Sequence, residues 1–443
     1  EHRSSRPAFP SVLTSLAEAW RDRHRELLEQ ADRVTAAMER YLEGGNLPSD
    51  RPPAPGAAEA ALGRLERRFD VDWGGFGGPP KFPTPSNLWL LRELAGEQPA
   101  ASRMLSATLD QMARGGIYDQ LAGGFHRYAT DREWRIPHFE KMLYDNGLLV
   151  DLYAREAVRT GDPEMARVAR ETCSFLAREM TAPEGGLWSA IDAETAGDEG
   201  AYYVWSREEL DRVLGVEGSA FLAPLLGFDG QPFFEGGRYV LHLPRPLSEQ
   251  AEKRRGSLEE LYRELEPLKS VLLEARQGRP RPATDDKILA DWNGMAIAGM
   301  AAAGELLEEA EILEGAVTAA RFVLEAMRPD DGPLLHAWRD GRGSIPAYLS
   351  DYAYLVRGLL ALHRADGDRH WLTAAEELGR EQIERLESAD GGFFVAEESP
   401  DVLFRSREVT DGAVPAANAV AVLNLLELSR ISGESRWAET AER

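Results

Sequence analysis

The feature of this sequence that most constrains its fold is an alternation of two kinds of helix. One kind is apolar on nearly every face, as in ILADWNGMAIAGMAAAGELL (288–307) and VPAANAVAVLNLLELSR (414–430). The other kind carries charge on one side, as in TAAEELGREQIERLES (373–388). A helix that is apolar all round is buried, whereas an amphipathic helix keeps one face in water. The alternation therefore predicts two concentric layers of helices.

Helical periodicity divides most of the chain into helices joined by short turns or long loops. The predicted helices lie at 10–43, 57–69, 86–96, 101–114, 138–159, 163–181, 206–214, 248–277, 287–307, 310–328, 350–365, 368–388 and 415–432, with another beginning at 435. From residue 86 onward they form six pairs, most with a short turn inside the pair and a long loop after it. This arrangement predicts an all-α fold, a closed (α/α)6 toroid or six-hairpin barrel, with the long loops at one mouth and a small β excursion at 233–244.

The long loops share a pattern in which an acidic residue precedes one or two glycines and an apolar or aromatic residue. The pattern occurs as DWGGF (72–76), EGGLW (184–188), DGPL (331–334) and DGGFF (390–394). Glycine adopts the positive φ of a tight turn, and we expect the apolar residue to pack over the helix ends. The uneven spacing of these loops excludes a solenoid of fixed period.

One loop is much longer than a connection between two helices requires. Residues 115–145 carry two of the eight histidines together with glycines, aromatic residues and both signs of charge. Helix–helix connections in bundles usually take about 2–8 residues. We therefore expect residues 115–145 to form the floor of a pocket at the mouth.

Composition excludes several classes of protein. The formal charge of −24, from 75 acidic and 51 basic residues, opposes binding to a phosphate backbone, so no nucleic-acid partner is expected. No window reaches the ~18–20 consecutive apolar residues of a membrane-spanning helix, so no membrane partner is expected. Cys173 is the only cysteine, which excludes an internal disulfide and a cysteine zinc site and fits a cytoplasmic location.

Six motifs follow one another over residues 72–420. They are GGFGGPPKFP (74–83), GGIYDQLAGGFHRYATDREWRIPHFEKMLYDN (115–146), DAE with EGAYYVW (192–194 and 199–205), DK with WNG (286–287 and 292–294), SDYA (350–353), and DGA with Asn418 (411–413). In these motifs the chain resembles the family of thioredoxin-domain-containing proteins typified by spermatogenesis-associated protein 20 and its bacterial relatives. The resemblance implies an (α/α)6 barrel similar to N-acylglucosamine 2-epimerases and six-hairpin glycosidases.

The resemblance also implies a domain organisation. In the family a thioredoxin-like module precedes the barrel, so residues 1–56 are interpreted as a helix and Pro-rich connector that follow a missing module. Residues 57–443 are interpreted as the barrel, truncated at its C-terminal end. This sequence has no CxxC pair. The thioredoxin-like module is expected to be a partner of the barrel within the full-length protein, and the resemblance supplies no established catalytic residues.

The long loop offers a pair of groups for acid–base chemistry. His126 and His138 are the candidate acid and base, because two imidazoles that titrate near neutral pH are able to remove a proton beside a sugar carbonyl and return it to the other face. Asp119 and Asp192 complete the predicted catalytic set. The pattern thus favours a sugar epimerase or isomerase, while the alternative is that both histidines donate hydrogen bonds that hold the loop in place.

Two other functions remain open. Glycoside hydrolysis requires two carboxylates at roughly 5–5.5 Å for retention or 6.5–9.5 Å for inversion. The candidate carboxylates are Asp119, Glu140, Asp192, Glu194, Asp351 and Asp411. A non-enzymatic scaffold that binds a ligand or client for the thioredoxin-like module is the third possibility. A mouth filled by loop aromatics, with histidines bonded to backbone, would indicate the scaffold.

The remaining predicted site residues are assigned to binding of a small, sugar-like substrate. They are Arg127, Tyr128, Lys141, Glu140, Trp188, Glu194, Trp292, Asn293, Asp351, Tyr352, Asp411 and Asn418. Basic side chains suit an anionic substituent and flat rings suit the C–H face of a sugar. If a helix begins at His138, Lys141 and Asp145 lie on one face, and an ion pair between them is the alternative to substrate binding by Lys141. No HExxH motif or histidine cluster is present, so neither a metal nor a cofactor is expected.

Overall fold

The computed structural model describes residues 7–45, 56–329, 332–400 and 402–443. Asp331 of the DGPL loop and parts of the 1–56 segment therefore lie outside the described residues. Among the described residues, no helix combines the length and the apolarity needed to cross a bilayer.

Sixteen α-helices account for most of the described chain. They are α1 (Phe9–Asp22), α2 (His24–Gly45), α3 (Ala57–Arg68), α4 (Pro85–Leu94), α5 (Pro99–Arg114), α6 (Leu143–Thr160), α7 (Pro163–Phe175), α8 (Arg207–Leu226), α9 (Leu247–Lys253), α10 (Leu258–Gln277), α11 (Ala290–Leu306), α12 (Ala310–Ala326), α13 (Leu349–Asp366), α14 (Arg369–Leu386), α15 (Ala417–Ser432) and α16 (Ser435–Glu442). A π-helical turn at Leu176–Met180 extends α7.

The barrel is built from helix pairs, as the alternation of helix types predicts. Helices α4, α6, α11, α13 and α15 pack side by side in that order and form the inner layer. Each of them packs against the helix that follows it in the chain, which belongs to the outer layer. The inner helices α6, α11 and α13 are buried along most of their length, which agrees with their apolar sequences.

Small residues allow the inner helices to approach closely. A Cβ atom on Gly294 of α11 would lie 2.4 Å from the backbone carbon of Tyr354 in α13, and one on Gly147 of α6 would lie 2.7 Å from the backbone of Ala296. Real Cβ atoms do not approach other atoms so closely, so side chains are excluded at both positions. The close approach brings the first turns of α6, α11 and α13 together at the mouth.

Short antiparallel strands join the loops at this mouth. The described residues form β1 (Tyr128–Ala129), β2 (Pro137–His138), β3 (Lys141–Met142), β4 (Ala190–Ile191), β5 (Glu194–Thr195), β6 (Asp198–Glu199), β7 (Thr284–Asp285), β8 (Ile288–Leu289), β9 (Leu335–Arg339) and β10 (Arg342–Pro346). One sheet has the order β3-β4-β7 and another the order β10-β9-β8. These sheets fix the chain just before α6 and α11, so the first turns of both helices are held by three separate loops.

An asparagine in the first turn of three inner helices clamps the loop that carries the glycine–apolar pattern. In each case the side-chain oxygen accepts the backbone N–H of the apolar residue, and the side-chain nitrogen donates to its carbonyl. The pairs are Asn146 with Phe125 (2.7 and 3.1 Å), Asn293 with Leu187 (2.8 and 2.9 Å) and Asn418 with Phe393 (2.8 and 3.0 Å). Two bonds to one buried residue satisfy backbone groups that have no helix or sheet partner.

The third helix pair expected in the ring is instead a separate lobe. Helix α6 packs directly against α11, while α8, α9 and α10 bury a cluster of their own. Helix α8 is longer than predicted, and it and α10 each begin with a capping box, Ser206 with Glu209 and Ser257 with Glu260. Residues 233–244 contribute a 3-10 turn and isolated bridges rather than a regular strand pair, and the longest described strands form the hairpin β9–β10.

Other predicted helices differ from the structure at their ends or are interrupted. The helix expected from His138 begins at Leu143, because Pro137–His138 pairs with Tyr128–Ala129 and Lys141–Met142 pairs with Ala190–Ile191 as strands. Lys141 therefore does not share a helical face with Asp145. The long helix expected at 10–43 is interrupted at Arg23, whose φ of −135° and ψ of 34° are not helical.

Candidate active site at the mouth of the barrel

Asp351, in the first turn of α13, is the most fully bonded carboxylate at the mouth. Its side chain is completely buried, Oδ2 accepts the Tyr348 N–H at 2.7 Å, and Oδ1 accepts the Asp291 N–H at 3.1 Å. Both oxygens also lie 3.0 Å from Nδ1 of His336. Asp351 thus joins the entry of α11, the entry of α13 and strand β9 at one point.

His336 lies on β9 with its side chain 20% exposed. A carboxylate only accepts hydrogen bonds, so the hydrogen between the two residues belongs to Nδ1, and Nε2 of a neutral ring keeps its lone pair. Burial lowers the pKa of His336, but the hydrogen bond and charge of Asp351 outweigh burial and raise the pKa above its ordinary value. A histidine whose tautomer is fixed by a carboxylate is a typical general base.

Asp291, in the first turn of α11, faces this pair. It is 8% exposed and accepts the Trp292 N–H at 2.8 Å. Burial, followed by the negative charge of Asp351, raises the pKa of Asp291 to about 7. A carboxyl with a near-neutral pKa is able to give up and regain a proton at physiological pH.

The spacing of these groups also fits a metal ion. One ligand atom each from Asp291, His336 and Asp351 lies within 4.8 Å of the others. The set of two carboxylates and one imidazole would suit a divalent cation. However, both oxygens of Asp351 already accept hydrogen bonds, so the arrangement fits a carboxylate–histidine pair beside a free acid better than it fits a set of three ligands. The absence of a metal stays a prediction.

Asp145, in the first turn of α6, is a buried acid without a partner. Its side chain is 4% exposed, and Oδ2 is wholly buried with no hydrogen bond. Burial raises the pKa of Asp145 well above its ordinary value, while the charges of Arg127 and Glu140 act in opposite directions. Asp145 thus differs from Asp351, which occupies the same turn of α13.

A polar and aromatic wall lies next to Asp145. Arg127 donates to Glu140 at 2.9 Å, and the Tyr144 ring meets Trp292 edge-on with centroids 4.9 Å apart. The half-buried His138 stands nearby, with Nδ1 2.7 Å from Oε1 of Glu199. The wall continues from the long loop to the Asp291 group, because Trp292 follows Asp291 in the chain.

Residues Asp119, His126 and Lys141 form a different, buried cluster. Arg276 donates a hydrogen bond to each oxygen of Asp119 at 2.9 Å, and Nζ of Lys141 donates to Oδ2 at 2.9 Å. Burial raises the pKa of Asp119, but the charges of Arg276 and Lys141 outweigh burial and hold this pKa well below its ordinary value. This pairing, rather than the expected contact with Asp145, accounts for the charge of Lys141.

His126 is shielded within the same cluster. Its Nδ1 lies 2.9 Å from the Phe139 carbonyl, and burial together with the charge of Lys141 lowers its pKa to about 3. The cavity beside His126 and Asp119 measures about 20 Å³, which has room for roughly one water molecule. The two residues thus hold the loop together where a sugar does not fit.

The other residues assigned to substrate binding lie in several environments. Asn293 and Asn418 clamp loops, Tyr352 is buried and donates to Glu381 at 2.8 Å, and Asp411 accepts the Ala416 N–H at 2.8 Å before α15. Asp192 and Glu194 are exposed next to each other, Trp188 is half-buried against the core, and Tyr128 stacks on His138 at 4.9 Å.

The sequence interpretation omitted Asp291 and His336 from the site. Asp291 stands at the start of an otherwise apolar helix, which is a signal that the sequence does contain. His336 lies on an alternating segment before Asp340-Gly341, a dipeptide typical of a hairpin turn, but nothing in the local pattern places it beside Asp351. Asp351 is the predicted site residue that the structure brings into this group.

Comparison with known proteins relates the whole chain to one set of relatives. Spermatogenesis-associated protein 20 of Homo sapiens is 33% identical over 482 residues, which cover 98% of this chain and 61% of that protein, and the Mus musculus protein is 32% identical over 483 residues, covering 98% and 60%. The chain is a homologue of spermatogenesis-associated protein 20. The resemblance expected from the motifs is thus confirmed. No family model matches the chain.

The relatives named spermatogenesis-associated protein 20 are longer than this chain, which spans about 61% of the length of the human protein. Among solved structures, a GH76 α-mannanase of Bacteroides thetaiotaomicron superposes with a TM-score of 0.51 at 10% identity, over 86% of this chain and 79% of that one. At that identity the superposition concerns the fold alone, and the predicted all-α barrel is confirmed.

Proposed function

We propose that this chain is an acid–base enzyme that isomerises or epimerises a sugar-like small molecule at the mouth of the barrel. The proposal retains the reaction class expected from the sequence but assigns it to other residues. His336 is the base, Asp291 is the acid, and Asp351 positions His336. His126 and Asp119 are left out of the catalytic set, because they are buried and fully engaged with the loop.

The observation that carries the proposal is the grouping of His336 and Asp291 beside a carboxylate that fixes the imidazole, Asp351. Asp291 has a pKa of about 7, and the three side chains lie within 4.8 Å. Titratable groups whose environments keep them poised near neutral pH are typical of acid–base sites. The barrel fold, shared with an α-mannanase, and the aromatic pair of Tyr144 and Trp292 are compatible with a sugar ligand.

In the proposed reaction, Nε2 of His336 takes the proton from the carbon next to the substrate carbonyl. The C–H bond pair forms the carbon–carbon double bond of an enediol, and the carbonyl oxygen receives the proton of Asp291. His336 then returns its proton to the neighbouring carbon while the hydroxyl that becomes the new carbonyl gives its proton to Asp291, which completes isomerisation. Epimerisation requires that the enediol turn its other face to His336 before the first carbon is reprotonated, and the first hydroxyl then returns its proton to Asp291. No redox partner is needed, because every proton and electron pair is returned.

Glycoside hydrolysis fits this geometry less well. A retaining mechanism needs a carboxylate with a free oxygen as nucleophile. Asp351 is fully buried and accepts hydrogen bonds at both oxygens, from His336 and from two backbone N–H groups. Asp119 is held by Arg276 and Lys141, and Asp192 is exposed on a loop, so both are weaker candidates for the nucleophile.

A binding scaffold is the second candidate function. It is favoured by His126, whose ring is bonded to the backbone and covered by the loop, as expected for a structural histidine. A scaffold would bind a ligand without changing it. The thioredoxin-like module as its partner stays a prediction.

The test is solvent exchange into a panel of sugars, amino sugars and sugar acids incubated with the protein in deuterium oxide. Enzymatic epimerisation or isomerisation places deuterium at the carbon next to the carbonyl, which mass spectrometry and NMR detect. We expect His336→Gln and Asp291→Asn to lower the exchange rate by at least about 100-fold. His370→Gln, on the exposed surface of α14, is the matched control and should exchange normally.

Exchange that survives in His336→Gln would overturn the assignment of the base. Binding of a sugar without any exchange would instead favour the scaffold. Release of reducing sugar from a glycoside, without deuterium at carbon, would favour the hydrolase.

A further inference from the structure

Asp145 differs from every other buried acid of the described residues in its lack of a hydrogen-bond partner. Each of the other buried carboxyls has a hydrogen-bond donor, for example Arg276 and Lys141 at Asp119 or Arg155 at Asp151. Within the described ranges, Asp145 has neither a hydrogen bond nor an ion pair, although it is 4% exposed. An unpaired buried carboxyl destabilises a fold, so a residue of this kind at a mouth indicates a ligand.

We propose that Asp145 binds the protonated amine of the ligand, so that the mouth selects an amino sugar or a similar hydroxylated amine. The inference rests on the proposed function only in placing the ligand at the same mouth. An ammonium group carries up to three hydrogen-bond donors and a full positive charge. In the structure, Asp145 has neither a donor nor a cation as its partner.

The nearest cation does not fill this role. Arg127 donates to Glu140 at 2.9 Å, and no hydrogen bond joins it to Asp145. The charge of Arg127 is therefore matched by Glu140. Asp145 keeps an unbalanced negative charge whenever it ionises.

The aromatic wall favours the same kind of ligand. Tyr144 and Trp292 meet at 4.9 Å beside Asp145, and Trp292 is only half-buried. Aromatic faces attract cations, by about 0.5–2 kcal/mol depending on exposure. A cation held by Asp145 would thus also meet ring faces at the entrance.

Charge excludes the opposite kind of ligand from this position. An anionic substituent at Asp145 would meet the negative charge of Glu140 as well as that of Asp145 itself. A neutral hydroxyl would give one hydrogen bond but would not compensate a carboxylate. A protonated amine satisfies both the donor and the charge requirement.

The experiment compares three probes that differ at one substituent, namely glucosamine, N-acetylglucosamine and glucose. Affinity is measured by calorimetry and by the rise in melting temperature, which ligand binding to the native state produces by mass action. Measurements are made at a pH where the amine is protonated. We expect glucosamine to bind at least about tenfold more tightly than either neutral probe, which corresponds to about 1.4 kcal/mol.

Asp145→Asn should remove this preference while the protein stays folded, because the amide has the same shape and no charge to bury. Equal affinity for the three probes, no binding of any of them, or a preference that persists in Asp145→Asn would overturn the inference. His336→Gln separates it from the proposed function, since this variant should keep the amine preference and lose exchange. Exchange on neutral sugars without amine preference would reject only the role of Asp145.

Discussion

Nδ1 of His336 lies 3.0 Å from each carboxylate oxygen of Asp351, although the residues belong to a strand and a helix. The same carboxylate accepts the N–H groups of Tyr348 and Asp291. One buried side chain therefore orients the proposed base and fixes the helix that carries the proposed acid. The chemistry of the site and its architecture depend on the same residue.

Asp351→Asn should lower the pKa of His336, because the neutral amide no longer favours the charged imidazole. It should also reduce the free energy of unfolding by roughly 1–3 kcal/mol, since two backbone donors exchange a charged acceptor for a neutral one. Proton NMR of the His336 ring across pH 5–9 measures the first effect and urea unfolding the second. An unchanged His336 titration would contradict the proposed pairing, and Asp340→Asn in the exposed hairpin turn is the control.

Asp291→Asn should change how stability depends on pH. In the native protein the pKa of Asp291 is about 7, above its ordinary value of 3.8, so the folded state holds the proton more tightly than the unfolded state. The corresponding stability is complete below about pH 4 and is lost as the pH rises to 7. Asparagine does not titrate, so the variant does not lose this stability. Between pH 4 and pH 7 its free energy of unfolding should rise by roughly 2–4 kcal/mol relative to that of the native protein.

Melting temperatures of both proteins from pH 4 to pH 8 measure the difference. It should widen with pH and level off above pH 7. A constant difference across this range would show that Asp291 titrates normally.

Asp145→Asn and Asp151→Asn should have opposite effects on stability, although both positions lie on α6. The first replaces an unpaired buried acid whose pKa is raised, so it should stabilise the protein at neutral pH by roughly 1–3 kcal/mol. The gain should shrink as the pH falls toward the ordinary pKa of aspartate, where the native carboxyl and the unfolded carboxyl are both protonated.

Asp151 pairs with Arg92 and Arg155, so Asp151→Asn should destabilise. Chemical denaturation at pH 7.5 and pH 4.5 compares the two variants. Destabilisation by Asp145→Asn at pH 7.5 would mean that Asp145 has a partner, contrary to the structure.

Asp119→Asn should destabilise the protein by roughly 3–5 kcal/mol, because it leaves the buried cations Arg276 and Lys141 without their counter-charge. Urea unfolding gives the change. Asp110→Asn removes the partner of Arg114 in a half-buried i,i+4 pair on one helix and should cost less than about 1 kcal/mol. Similar losses in both variants would argue against the buried cluster as a structural element.

Asn418→Ala should loosen the loop before α15. The N–H and carbonyl of Phe393 lose their bonds at 2.8 and 3.0 Å, and we expect a loss of roughly 1–3 kcal/mol. Hydrogen exchange should accelerate at Phe393 and its neighbours and leave α11 unchanged. Asn87→Ala, in the first turn of α4, lacks such a clamp and should show no local acceleration.

The buried helices were predictable because their pattern is local. The apolar stretches expected at 287–307 and 350–365 are the helices Ala290–Leu306 and Leu349–Asp366. The start of α6 was not predictable from periodicity. Lys141 and Met142 satisfy helical spacing, but their backbones pair with Ala190 and Ile191, about fifty residues further along the chain. Strand pairing with a distant segment here prevails over the local preference for a helix.

The sequence alone determined the two layers of helices, the glycine loops at one mouth and the relationship to spermatogenesis-associated protein 20. These features follow from periodicity, turn residues and ordered motifs, all of which are written in short windows of the chain. Only the tertiary structure decided which carboxylates have partners. Asp119, Asp145 and Asp351 are the same residue type in the sequence. In the structure, Asp119 is paired with two cations, Asp351 with a histidine, and Asp145 has no partner. They differ because burial and counter-charge come from residues on other elements.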